Sequence, residues 1–88
     1  MASVRLRCFA GAREAAGTGS ADFYATTLGD LLAQASERFG EQFRLVLETS
    51  RVWVNGEEPG QGEARGRAEE TELQDGDEIA ILPPVSGG

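Results

Sequence analysis

The segment Leu73-Gln74-Asp75-Gly76-Asp77-Glu78-Ile79-Ala80-Ile81-Leu82-Pro83-Pro84-Val85-Ser86-Gly87-Gly88 reads, in order, as a turn, a buried strand and a thin arm. Asp75-Gly76 marks a tight turn, because a short polar side chain closes local hydrogen bonds and glycine accepts a positive φ. Ile79 and Ile81 then alternate with Ala80 and Leu82, and the near-continuous apolarity predicts a strand running centrally in a sheet. Pro83-Pro84 ends that strand, since proline fixes φ and offers no ladder donor. The residues after Leu82 can reach roughly 20 Å when extended, farther than the radius of so small a domain. They predict a flexible arm over 83–88 beyond a domain over 1–82. Glycine at the last two positions makes that arm as slim as a peptide can be, and its carboxylate sits on a residue with no Cβ to obstruct a reaction there. Fraying without function is the competing reading of such an end. Ordering the arm on a partner costs entropy, so binding needs a larger docking face elsewhere.

Upstream, Leu28, Leu31, Leu32, Ala35 and Phe39 recur mostly three and four residues apart. The spacing predicts an α-helix of about three turns over 27–39, with its stripe on the core. Thr27 suits the N-cap, Asp30 and Arg38 suit the two ends of the helix dipole, and Gly40 suits the exit. Val4, Leu6 and Cys8 alternate with Arg5, Arg7 and Phe9, which predicts a half-buried strand over 4–10. Cys8 falls on its apolar face and reads as a small buried hydrophobe rather than an activated thiolate. Phe9 is on the other face, either under a loop or open to a partner. Residues 11–20 read as a loop with a short helical turn near Arg13–Ala16. Residues 21–26 read as a second strand, with the inward aromatic of Phe23 and Tyr24 undecided. Residues 41–50 read as a short turn or irregular helix. Val52 and Val54 share one strand face and Trp53 takes the other, where it is either covered by a loop or a partner anchor. Asn55-Gly56 is a hairpin turn signal. Residues 57–72, with three glycines, one proline and six glutamates, read as a long polar loop and the least ordered internal region. Strand-strand-helix-strand-strand order implies an α+β layer pair, with the helix lying across one sheet face.

Composition narrows the function. The chain has 88 residues, 40% of them hydrophobic, and is long enough for one domain. A single cysteine excludes an internal disulfide, and the lack of histidine excludes imidazole acid–base catalysis. No apolar run is long enough to span a membrane and no signal-peptide core is present, so the cytoplasm is the expected compartment. Eight arginines, no lysine and fifteen acidic residues leave a net charge of −7. That balance argues against nucleic acid and membranes as partners. It favours a partner with a basic or apolar docking face, unless it serves only to keep a small protein soluble. The glycines between 56 and 66 are not followed by a P-loop Lys and Ser/Thr pair. Asp75 and Asp77 flank a turn glycine and read as turn chemistry, so no metal site is expected. A histidine-free domain of this size is a poor candidate for an independent enzyme. A plain binding module with an inert arm is the sturdier alternative.

With these pieces in place, the chain resembles the ubiquitin-like β-grasp sulfur carriers, and within them the small subunits of molybdopterin synthases. The ending Leu82-Pro83-Pro84-Val85-Ser86-Gly87-Gly88 carries most of the likeness, after Leu73 and Asp75-Gly76-Asp77-Glu78-Ile79. Phe9-Ala10 with Arg13-Glu14 and Gly17, Thr27-Leu28-Gly29-Asp30-Leu31 and Val54-Asn55-Gly56-Glu57 add to it. The 60–72 loop departs in composition. The resemblance implies an α+β ubiquitin-like β-grasp with a mixed four- or five-stranded sheet and one main helix packed across it. It implies that Gly88 carries a thiocarboxylate, formed after an activating enzyme has adenylated the carboxylate with ATP and a sulfur donor system has displaced the adenylate. Gly87 would give clearance, Ser86 and Val85 would hold the arm in a partner's channel, and Pro84 and Pro83 would orient it. Phe9 and Trp53 would belong to the docking face. The sulfur would pass to a cyclic pterin phosphate inside the synthase large subunit, with no cofactor bound by the small protein itself. The same fold and ending also serve other sulfur pathways and carriers that conjugate to protein lysines.

Overall fold

The computed structural model describes residues 1–57 and 70–84, and within them the N-terminal alternation is realised residue by residue. In β1 (Ala2–Cys8) every even-numbered residue is buried and every odd-numbered one exposed. β2 (Ser20–Ala25) pairs antiparallel with it, setting Phe23 opposite Val4 and Tyr24 opposite Ser3. Cross-strand partners share a face, and this register decides the aromatic pair: Phe23 is buried and Tyr24 is 66% exposed.

The segment 11–20 is more helical than its glycines suggest. α1 (Ala10–Ala16) follows Phe9 directly and ends at Gly17, whose N–H donates to the Arg13 carbonyl. α2 (Leu28–Phe39) is the predicted main helix, with Leu28, Leu31 and Ala35 buried and Leu32 and Phe39 packed at the margin. The Thr27 hydroxyl oxygen accepts from the Asp30 N–H at 3.2 Å. Asp30 answers by accepting from the Thr26 N–H at 3.2 Å, one residue earlier than in a standard capping box. Gly40 ends α2 and starts α3 (Glu41–Glu48) at φ +99°, a region that strains any residue with a Cβ. α3 is a regular helix, so the expected turn or irregular helix over 41–50 is corrected. It exists because Phe43, Val46 and Leu47, at i, i+3 and i+4, find a core to cover. Phe43 is fully buried, with its ring centroid 5.1 Å from that of Phe39, which in turn meets Phe23 edge-on at 6.1 Å.

β3 (Arg51–Val54) and β4 (Glu78–Leu82) form an antiparallel pair, and β4 runs parallel to β1. The order β2-β1-β4-β3 puts the first and last strands together at the centre of a mixed four-stranded sheet. The central position predicted for β4 is therefore realised. One helix between two strand pairs was expected; three helices are present among the described residues, two of them short. Asn55 and Gly56, both at positive φ, close the two-residue turn in which Val54 and Glu57 exchange backbone hydrogen bonds of 2.8 and 3.0 Å. The chain returns at Thr71, whose carbonyl accepts from Leu28, and at Leu73, whose N–H donates to Thr26. Most of the expected long loop and the last four residues of the arm, Val85, Ser86, Gly87 and Gly88, lie outside the described residues. No helix among the described residues is long and apolar enough to cross a membrane.

Candidate functional site

Sheet register sorts the strands into two faces. Leu6, Cys8, Ile79 and Ile81 turn inward to join Leu28, Leu31, Ala35 and Phe43 in one buried cluster. Their neighbours turn outward. Arg7 pairs with Ala80, and Ala80 with Trp53, so these three form one row in which a small residue separates a guanidinium from an indole. The adjoining rows bring Arg5 beside Glu78, and Arg51 beside Leu82.

β4 reaches the end of this open face at Leu82 and Pro83, both half-buried, and Pro84 is exposed. Phe9 stands beside that exit: its N–H donates to the Ile81 carbonyl at 3.3 Å, and the residue is 40% exposed. Ala10 immediately after it holds a left-handed φ of 48°, a conformation that costs about 1 kcal/mol for a residue with a Cβ. The chain thus turns sharply at the point where Phe9 is presented. The Arg7 guanidinium carbon lies 5.8 Å from the Phe9 ring centroid, within cation–π range. Beside them a shallow cleft of about 490 Å³ is lined by Arg5, Arg7, Cys8, Phe9, Arg13 and Gly19, among others.

Trp53, the other sequence-derived docking candidate, is half-buried on the same face. Its Nε1 is buried and has no hydrogen-bond partner among the described residues, an arrangement that costs about 1–3 kcal/mol. It therefore offers less free surface than Phe9. The net charge of −7 belongs to the molecule and not to this face. Arg5 and Arg7 are offset there by Asp22 at 3.2 Å and Glu78 at 3.6 Å. Composition favours a basic or apolar partner surface, and with those charges paired an apolar one suits this face better than a basic one.

Two further residue types fall into structural roles. Cys8 is only 3% exposed, and burial pushes its thiol above the ordinary range, which keeps it protonated and unreactive at neutral pH. Asp75 accepts from the Ser3 N–H at 2.8 Å. Asp77 accepts from the Gln74 N–H at 2.8 Å and from the Asn55 amide at 3.0 Å. The carboxylates at the turn before β4 thus brace that turn. Sequence reasoning set Leu82 opposite Ile81 without counting it among the docking residues, and overlooked Arg13 as part of the cleft. The alternation with Ile81 signals the first; nothing local signals the second.

Comparison with known proteins agrees with this geometry. The ThiS family matches residues 6–88. A protein described as molybdopterin synthase sulfur carrier subunit, from Aedes aegypti, is 36% identical over 92 residues, covering 97% of this chain and 88% of the relative. The solution structure of small archaeal modifier protein 1 (SAMP1) from Methanosarcina acetivorans has a TM-score of 0.80 and 31% identity, over 100% of this chain and 98% of that one. A chain in the protein–protein complex of subunits 1 and 2 of molybdopterin-converting factor from Helicobacter pylori 26695 has a TM-score of 0.69 and 27% identity, over 98% and 99%.

Proposed function

This chain belongs to the ThiS family, and on that premise we propose that it is the sulfur carrier that serves as small subunit of a molybdopterin synthase. The observation that carries the reading is the course of β4. A strand gripped on both sides at the centre of the sheet delivers Leu82-Pro83-Pro84 out of the domain beside exposed Phe9. Such an arrangement suits a protein that docks by its sheet face and offers its chain end to a partner.

In the proposed cycle the Gly88 carboxylate attacks ATP on an activating enzyme and releases pyrophosphate. Adenylation converts a poor electrophile into an acyl group with a good leaving group. Hydrosulfide supplied by the donor system then displaces AMP, gives up its proton to solvent and leaves a thiocarboxylate. Phe9, Leu82 and the apolar parts of Trp53 dock on the synthase large subunit, with Arg7 meeting acidic or carbonyl groups at the rim. Pro83 and Pro84 aim the arm, Val85 and Ser86 line it in the partner's channel, and Gly87 gives clearance. Sulfur passes from Gly88 to the cyclic pterin phosphate, and two separately charged carriers supply the two sulfurs of the dithiolene. Acid–base groups and phosphate binding come from the large subunit.

Intact-mass analysis after incubation with ATP, an activating enzyme and a sulfur source tests the reading. The expected change is the mass step for one oxygen replaced by sulfur, localised to Gly88. A chain extended by one residue after Gly88 is expected to fold normally and to take up no sulfur. Thiocarboxylate on the untrimmed extended chain would overturn the assignment of Gly88. An isopeptide between Gly88 and a lysine of another protein, with no sulfur delivered to pterin, would replace the carrier reading with that of a modifier.

A further inference from the structure

β2 lies at an edge of the sheet, and edge strands expose backbone groups that can recruit another strand. The Cys8 N–H donates to the Gly19 carbonyl, which sets the phase of the β1–β2 ladder. Backbone groups alternate along an antiparallel strand, so those of Ala21, Phe23 and Ala25 face β1 while those of Ser20, Asp22, Tyr24 and Thr26 face away. Every outward carbonyl in that series is already occupied. Ser20 accepts from the Thr18 hydroxyl at 2.9 Å. Asp22 accepts from the Arg38 guanidinium at 3.4 Å, and Tyr24 from the Gln34 amide at 2.7 Å. Thr26 accepts from the Leu73 N–H at 2.9 Å. The Ser20 and Thr26 N–H groups are taken by Thr18 and Asp30. Among the described residues, only the outward N–H groups of Asp22 and Tyr24 are left without a partner.

Gln34 and Arg38 stand one turn apart on α2, on the side that faces β2. Arg38 rests over two adjacent rings, with its guanidinium carbon 5.1 Å from the Phe23 ring centroid and 5.6 Å from that of Phe39. Between helix and strand runs an open groove of about 560 Å³, lined by Asp22, Phe23, Tyr24, Gln34, Glu37 and Arg38. Tyr24, the most exposed aromatic among the described residues, borders it.

We propose that Gln34 and Arg38 are a guard on a strand-addition site, and that the occupant they exclude is β2 of a second copy of this chain. The edge is self-complementary. Related by a two-fold axis, the outward N–H groups of Asp22 and Tyr24 in one copy face the outward carbonyls of the other. An incoming strand can form that ladder only by displacing both side chains, so the guard keeps the chain single. Because β1 separates this edge from β4, the guard acts independently of the chain end, and its test does not depend on the sulfur-carrier reading.

The decisive variant is Gln34→Ala combined with Arg38→Met, which keeps an apolar stem on Phe23 and Phe39 but removes both donors. Sedimentation velocity is expected to show a monomeric parent and a dimerising variant, with self-association at least roughly tenfold tighter. Amide exchange at Asp22 and Tyr24 is expected to slow on dimerisation. Adding Tyr24→Pro should restore the monomer, because it removes an outward donor and leaves the β1 ladder intact. Gln34→Ala alone touches only the Tyr24 carbonyl, and should shift association in the same direction by less, which keeps the test open if the double variant folds poorly. The proposal is overturned if the folded variants associate no more than the parent. It is equally overturned if the dimer survives Tyr24→Pro, or if the Asp22 and Tyr24 amides of the Gln34→Ala, Arg38→Met dimer still exchange freely.

Discussion

Leu6, Ile79 and Ile81 have no exposed surface, while Arg7, Glu78 and Ala80, one residue away on the same strands, look out from the opposite face. The inner set is held by removal of apolar area from water, worth about 1.5–3 kcal/mol per large side chain. The outer set is held by hydrated ion pairs such as Arg5–Asp22, whose side chains are 57% and 70% exposed, a class worth about 0–1 kcal/mol. Stability is therefore concentrated on one face, and the other is left with little to lose on substitution. The comparison shows how so small a chain can carry the docking surface proposed for it without weakening its core.

The sharpest break of that contrast is Phe43→Ala. Its ring is fully buried and joins Phe39 and Phe23, and truncation should destabilise by about 3–5 kcal/mol in urea unfolding. Cys8→Ser places a hydroxyl among apolar neighbours and should cost about 1–3 kcal/mol, whereas the same chemistry at outward Ser3 is already native. Phe9→Ala is the inverse case. Its expected effect on unfolding is below about 1 kcal/mol, while affinity for the synthase large subunit should fall roughly tenfold by calorimetric titration. A Phe9→Ala variant with unchanged affinity would remove Phe9 from the docking face. Asp22→Asn should change stability by no more than about 0.5 kcal/mol, and by less at high salt.

Cys8 adds a pH test of the same contrast. Burial raises its thiol pKa in the folded chain above that in the unfolded chain. Below the unfolded value both states are protonated and the full stability is present. As pH rises, the unfolded thiol ionises first, so the unfolded state binds fewer protons and stability falls. Urea midpoints of the parent should therefore drop more steeply at alkaline pH than those of Cys8→Ala. Parallel curves would show that the thiol does not contribute to the alkaline loss.

Local pattern made much of this legible. Alternation assigned Val4, Leu6 and Cys8 to one face and Arg5 and Arg7 to the other, and the structure keeps that division. The Leu28–Phe39 stripe, the Thr27 cap and the Asn55-Gly56 turn were equally plain, since each is specified by residues within one or two turns of chain. α1 was hard to see because Ala12 is its sole buried residue and small residues dominate it. α3 was hard because its apolar set covers little more than one helical turn. At the candidate site, Phe9 and Trp53 could be named as outward residues but not ranked. Exposure of the one and partial burial of the other depend on neighbours brought in from β4 and beyond.

Sequence alone determined which sides of β1 and β3 face the core, where the main helix begins, and that the final strand runs out through a diproline. These follow from side-chain chemistry and backbone sterics acting over a few residues. Tertiary structure alone decided that β1 and β4 lie side by side, that Phe9 stands at the exit, and that Gln34 and Arg38 reach the edge carbonyls of β2. Each of these joins residues ten or more positions apart, some of them more than seventy. The free energy that selects such contacts comes from burying the whole apolar set at once, not from any stretch of chain taken by itself.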